Sequence, residues 1–149
     1  MIPLVVRSHF SLMWGTASIA ALCRHAKNLG YTRLALTDTD NLYGLWAFLS
    51  ACNREGITPI VGAEVTDPKL SLRAVCLAAT ATGYSNLCRL ITRRHRLSSF
   101  SLKKDLPLLS EGLVVLTRNP DLLEIFYNHG VTVAAAMPRR PLPGHHPLR

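Results

Sequence analysis

Apolar residues recur along this chain in two rhythms that take turns. Leu4–Arg7 is a short apolar run ending in a charge, the pattern of a buried strand. Ser18 then stands where its hydroxyl can accept from the amides of a first helical turn. Ile19, Leu22, Cys23, Ala26 and Leu29 follow at helical spacing, and Gly30 closes the segment. Leu34–Thr37 reads as a second strand. Leu42, Leu45, Leu49 and Cys52 mark a second helix that stops at Gly56, and Ile57–Val65 is a third strand whose start is limited by Pro59.

The alternation continues with the strand Ala74–Ala78. Gly83 precedes a helix carrying Tyr84, Leu87, Leu90 and Ile91, and the stretch from Arg93 to Leu108 is basic and weakly patterned. Leu113–Thr117 is another strand. Asn119-Pro120 starts a helix with Asn as cap and Pro in the first position. Leu122, Leu123, Ile125 and Phe126 give that helix its apolar face, Gly130 ends it, and Val131–Ala136 forms a last strand. This sequence predicts an α/β fold with about six strands, a mostly parallel sheet covered by helices, open or closed into a barrel. In either form, sites gather at the carboxyl ends of strands.

Composition narrows the class. The chain has 149 residues, is 48% hydrophobic and 17% charged, and so suits one domain with a substantial core. The pattern divides it into a domain over residues 1–137 and a Pro/Arg-rich tail over 138–149. The tail has four prolines and is expected to be extended or disordered. Its His145 and His146 allow two readings, metal contact or a solvated basic tail. No apolar run approaches the about 18 residues of a membrane span. The opening residues lack a basic leader, so the expected location is cytoplasmic. The cysteines Cys23, Cys52, Cys76 and Cys88 show no C-x-x-C spacing and sit among apolar neighbours, which predicts free thiols over disulfides.

The formal net charge is +8, with 17 basic and 9 acidic residues. Arg89, Arg93, Arg94, His95 and Arg96 form one basic cluster and Lys103 and Lys104 another, with Arg139, Arg140 and Arg149 in the tail. Two readings stand: a solvated surface, or a patch that contacts the backbone of DNA.

Candidate chemistry lies at three strand ends: Arg7-Ser8-His9, Thr37-Asp38-Thr39-Asp40-Asn41, and Glu64 followed by Asp67. A histidine, aspartates and a glutamate on one rim can bind divalent metal and activate water. The competing reading is structural, with Asp40 or Asn41 capping the helix that starts near Leu42.

Several of these segments resemble, in order, the motifs of the PHP (polymerase and histidinol phosphatase) domain that opens bacterial DNA polymerase III alpha subunits. They are Arg7–Ser18, Leu34–Gly44, Gly56–Val65, Gly83–Leu90 and Ser110–Leu116. The resemblance implies a distorted barrel, here incomplete, that holds up to three metal ions with His, Asp, Glu and sometimes Cys. It implies phosphoester hydrolysis, in some polymerases as a 3′–5′ exonuclease using zinc, manganese or magnesium.

Position by position, the resemblance leaves His9 and Glu64 as matches to metal ligands. Asp38 and Asp40 match as supporting residues. Arg7, Trp14, Thr39 and Arg73 stand where ligands are expected, and the final Asp-x-His pair has no counterpart in the chain. Arginine carries a fixed cation and cannot ligate metal. Arg7 is therefore expected to pair with Glu64 or Asp38, and no bound metal is expected.

Three functions follow. The first is a non-catalytic PHP-like module that supports a polymerase core or docks a proofreading partner. The second is a phosphoesterase or exonuclease with a reduced site. The third is a freestanding module that binds nucleic acid through Arg89, Arg93, Arg94, Arg96, Lys103 and Lys104. The polymerase active site itself is not expected in a chain of this length.

Overall fold

The computed structural model describes residues 2–136; the predicted tail, with His145 and His146, lies outside them. Five strands form one sheet: β1 (Arg33–Thr39), β2 (Thr58–Thr66), β3 (Arg73–Ala78), β4 (Leu113–Thr117) and β5 (Val133–Ala135), in that spatial order. The helices are α1 (Ile19–Asn28), α2 (Leu45–Glu55), α3 (Ala81–Arg96), α4 (Leu102–Leu108) and α5 (Pro120–Asn128). β1 and β2 pair in parallel, as do β4 and β5, whereas β3 is antiparallel to both neighbours. Four strands thus share a direction and β3 alone runs against them. The sheet is mostly parallel, as expected, and open.

Alternation along the strands gives the sheet two distinct faces. On one face, Ala63, Val65, Ala74, Cys76, Leu113 and Val115 meet Leu87 and Leu90 of α3, Leu102 and Leu106 of α4, and Leu122 and Phe126 of α5. On the same face, Leu34 and Leu36 of β1 pack with Cys23 and Ala26 of α1 and Phe48 and Cys52 of α2. The other face carries a smaller apolar floor of Ala35, Val75 and Leu77, with Leu4 packed against it.

Several predicted helix signals act as expected. Ser18 Oγ accepts from the Ala21 amide, Asn119 Oδ1 accepts from Leu122, and Pro120 opens α5. Gly30 and Gly56 take positive φ at the ends of α1 and α2, a backbone that costs glycine little.

Other expectations need correction. Leu4–Arg7 is not a strand. The Ala35 amide donates to Pro3 O but the Thr37 amide donates to Val6 O. The pairing offset slips by one residue between these bonds, so no regular ladder forms. Thr37 Oγ1 accepts from the Val6 amide in its place.

Helix α2 begins at Leu45, later than expected, behind Gly44 and without a side-chain cap. Its buried face is Phe48, Ala51 and Cys52, while Leu42, Leu45 and Leu49 are only half-buried. In α1, Leu29 is exposed. The weakly patterned stretch contains the end of α3 and all of α4, whose short apolar face of Leu102 and Leu106 is fully buried. The sheet has five strands where about six were expected.

All four cysteines are free: Cys23, Cys52 and Cys76 are buried and Cys88 is half-buried. No helix among the described residues is long and apolar enough to cross a membrane.

Candidate active site at the carboxyl edge of the sheet

The reversal of β3 matters for the site. It brings Arg73, the first residue of β3, to the same end of the sheet as Thr39, Thr66 and Thr117, the last residues of β1, β2 and β4. In register, Thr39 pairs with Glu64, and Thr66 with Arg73. A cleft of about 580 Å³ opens at this edge, walled by Arg7, Trp14, Glu64, Arg73 and Arg118 among others.

Glu64 is the centre of this arrangement and is only 4% exposed. Arg7 Nη2 donates to Glu64 Oε1 at 2.6 Å. Thr39 Oγ1 donates to Oε2 at 3.1 Å, and Arg73 Nη1 lies 3.7 Å from the same oxygen. The Trp14 ring lies against both guanidinium groups, 4.6 Å from Arg73 Cζ and 5.7 Å from Arg7 Cζ, within reach of cation–π attraction. The four residues that stand where ligands were expected therefore assemble around Glu64. Of the two partners expected for Arg7, it takes Glu64.

Asp38 is buried and fully engaged elsewhere. Its carboxylate accepts from the Ser8 amide and Ser8 Oγ, each at 2.7 Å, and from Ser11 Oγ at 2.6 Å. Ser11 Oγ also accepts from the Thr39 amide. Asp38 thus pins the 8–15 loop, which carries Trp14, to the end of β1. Gly15 lets this loop pass close to itself: a Cβ there would clash with Ser8 O. Both serines lie within the Arg7–Ser18 segment, but their spacing gives no sign of this role.

Asp40 is neither a helix cap nor near Glu64's carboxylate. It has φ 55°, accepts from the Thr66 amide and hydroxyl, and faces Arg94 Nη2 at 3.4 Å. His95 Nε2 donates to Asp40 O at 2.6 Å. Asn41 shapes the turn after β1, its Oδ1 accepting from the Tyr43 amide and its amide donating to Phe10 O and Thr39 O. His9 is exposed, stacks on Phe10, and has Nδ1 3.4 Å from Ala17 O.

Asp67 anchors α4 through its bond from the Leu102 amide, and accepts from Lys69 and Leu70. Burial alone would raise its carboxyl pKa. The three amides and nearby Arg94 outweigh burial and hold it below the usual range.

The donor set does not suit a divalent metal. Both oxygens of Glu64 already meet donors, two of them cationic, and Asp38 already accepts three hydrogen bonds. Among the described residues, no three of His, Cys, Asp and Glu come together in a way that could hold an ion.

The basic cluster is divided. Arg93 forms a two-pronged pair with buried Asp105, and Arg94 bonds to Thr66 Oγ1 and faces Asp40. Both pair within the fold, Arg94 half-buried and Arg93 still exposed. Arg89, Arg96 and Lys104 remain exposed, and Lys103 is half-buried. Arg118 was not among the expected site residues. Its position just beyond β4 was the available signal, since sites gather at strand ends.

The fold and site define an α/β domain with helices on one side of a mostly parallel sheet and a polar cleft at its carboxyl edge. The chain belongs to the PHP domain family, whose sequence model matches residues 3–132. It is 38% identical over 122 residues to the DNA polymerase III subunit alpha of Bacillus subtilis, a match covering 78% of this chain and 11% of that protein. It is 37% identical over 127 residues to the same subunit of Escherichia coli K12, again covering 78% of this chain and 11% of that protein. An error-prone DNA polymerase of Pseudomonas aeruginosa is 41% identical over 92 residues, or 60% of this chain and 8% of that protein. The fold is shared with a protein from Bifidobacterium adolescentis assigned as a metal-dependent phosphoesterase. That likeness has a TM-score of 0.54 at 13% identity, over 90% of this chain and 85% of the other. The chain spans about a tenth of the length of the curated relatives it matches.

Proposed function

We propose that this chain is a non-catalytic PHP module, related to the PHP region of DNA polymerase III alpha subunits, with a structural or partner-docking role in DNA replication or repair. The observation that carries the reading is the Arg7–Glu64 pair at 2.6 Å, reinforced by Thr39 and Arg73. Guanidinium groups supply at Glu64 the positive charge that metal ions supply elsewhere in the family. A carboxylate so engaged is a poor metal ligand and a poor general base. The partner would be a polymerase core or a proofreading enzyme. The free, mostly buried thiols suit a cytoplasmic setting.

The test is metal analysis of the chain purified without chelator, together with nuclease and phosphoesterase assays in manganese or zinc. The expected result is substoichiometric metal and no metal-dependent release of nucleotides or phosphate. Stoichiometric metal with metal-dependent turnover, abolished by Glu64→Gln, would establish a reduced but working phosphoesterase instead.

A further inference from the structure

We propose that the cleft beside Glu64 is a phosphate-binding site that works without metal, with guanidinium groups as its anion receptors. The inference rests on the reading above that the cleft holds no metal, and adds a ligand to it.

Charge is the first argument. Arg7, Arg73 and Arg118 line the cleft, and among the described residues Glu64 is the one acidic residue in its wall. Three guanidinium charges against one carboxylate leave two positive charges facing a shared volume. Phosphate dianions match that excess, and guanidinium forks match phosphate geometry.

Available donors are the second argument. Arg7 holds Glu64 through Nη2 and its Nε is buried, so it contributes charge to the cleft while the free donors come from its neighbours. Arg73 Nη1, at 3.7 Å from Glu64, is attracted by the carboxylate but lies beyond hydrogen-bond reach, so its donors remain free for a ligand. Arg118 is exposed and takes part in none of the ion pairs among the described residues.

Preorganisation is the third. Trp14 lies against Arg7 and Arg73, and Glu64 fixes Arg7 from below. Ordering these side chains in advance lowers the entropy cost of binding. The cleft, at about 580 Å³, falls within the roughly 300–1,000 Å³ range of small-molecule sites. It therefore has room for a phosphate monoester as well as for the free anion.

The test uses the full chain carrying Trp46→Phe, so that Trp14 is the remaining tryptophan of two. Its fluorescence is titrated with inorganic phosphate and, separately, with a deoxynucleoside 5′-monophosphate, each in excess chelator and each with manganese. Saturable binding in chelator is expected, with Kd on the order of 1 mM or tighter. Arg118→Ala, at an exposed position, is expected to weaken it about tenfold with unchanged thermal melting, and Arg73→Gln by at least as much. Tighter binding of the monophosphate assigns the site to an ester; equal binding assigns it to the free anion. Absence of saturable binding under both conditions overturns the phosphate site and leaves the metal-free reading intact. Binding that requires manganese overturns both. Binding that survives both arginine substitutions places the anion elsewhere and also overturns the proposal.

Discussion

Arg7 and Glu64 are 57 residues apart in sequence and meet at 2.6 Å at the carboxyl edge of the sheet. The pair joins the segment before the first helix to the carboxyl end of β2. Its strength bears on stability and, in the reading proposed above, on function.

Arg7→Met is expected to destabilise the chain by about 2 kcal/mol, because it leaves buried Glu64 with only Thr39 and the distant Arg73. Glu64→Gln in the same chain should recover part of the loss. Urea denaturation of the four variants of this double-mutant cycle measures the coupling. Additive effects would mean that the pair contributes nothing.

Asp67 makes stability fall at acid pH. Its folded pKa lies below the ordinary value of about 3.9, so the unfolded chain takes up the proton first. The contribution is present above about pH 4 and is lost as pH falls through the lower folded value. Denaturant midpoints measured on both sides of this window should drop for the parent. Asp67→Asn should be weaker at neutral pH and flatter across the window.

The basic cluster should separate into two classes. Arg93→Ala leaves buried Asp105 without its cation and should cost about 1–2 kcal/mol. Arg89→Ala, Arg96→Ala and Lys104→Ala should each fall within about 0.5 kcal/mol of the parent. Thermal melts of the four variants check this directly.

Thiol reactivity should follow burial. Burial pushes the Cys52 and Cys76 thiols up to about 12 and raises Cys23 as well. The Cys23 and Cys52 thiols also share a hydrogen bond at 3.7 Å, with no disulfide between them. Iodoacetamide at mildly alkaline pH should label half-buried Cys88 in the native protein and the other three only after unfolding. Mass spectrometry of the labelled peptides distinguishes these outcomes.

The sequence by itself determined most of the elements and most of the candidate residues. Helical spacing around Cys23 and Phe126, the caps at Ser18 and Asn119, and the strands at Leu34 and Leu113 are local signals that tertiary packing did not override. Through the family resemblance it also set Arg7, Trp14, Thr39 and Arg73 as expected departures from the family's pattern. It did not show that Leu4–Arg7 forms no regular ladder, because a one-residue slip against β1 leaves no mark on composition. Nor did it show α4, whose buried face is only two leucines long within a basic stretch. Tertiary structure decided what the departures amount to. The reversed β3 sets Arg73 beside Glu64, the Asp38–Ser8–Ser11 bonds hold the loop of Trp14 over both arginines, and Arg94 turns inward to Asp40. Periodicity reports which face a residue takes on its own element. Which distant charges meet depends on strand direction and register, and those are settled only when the sheet forms.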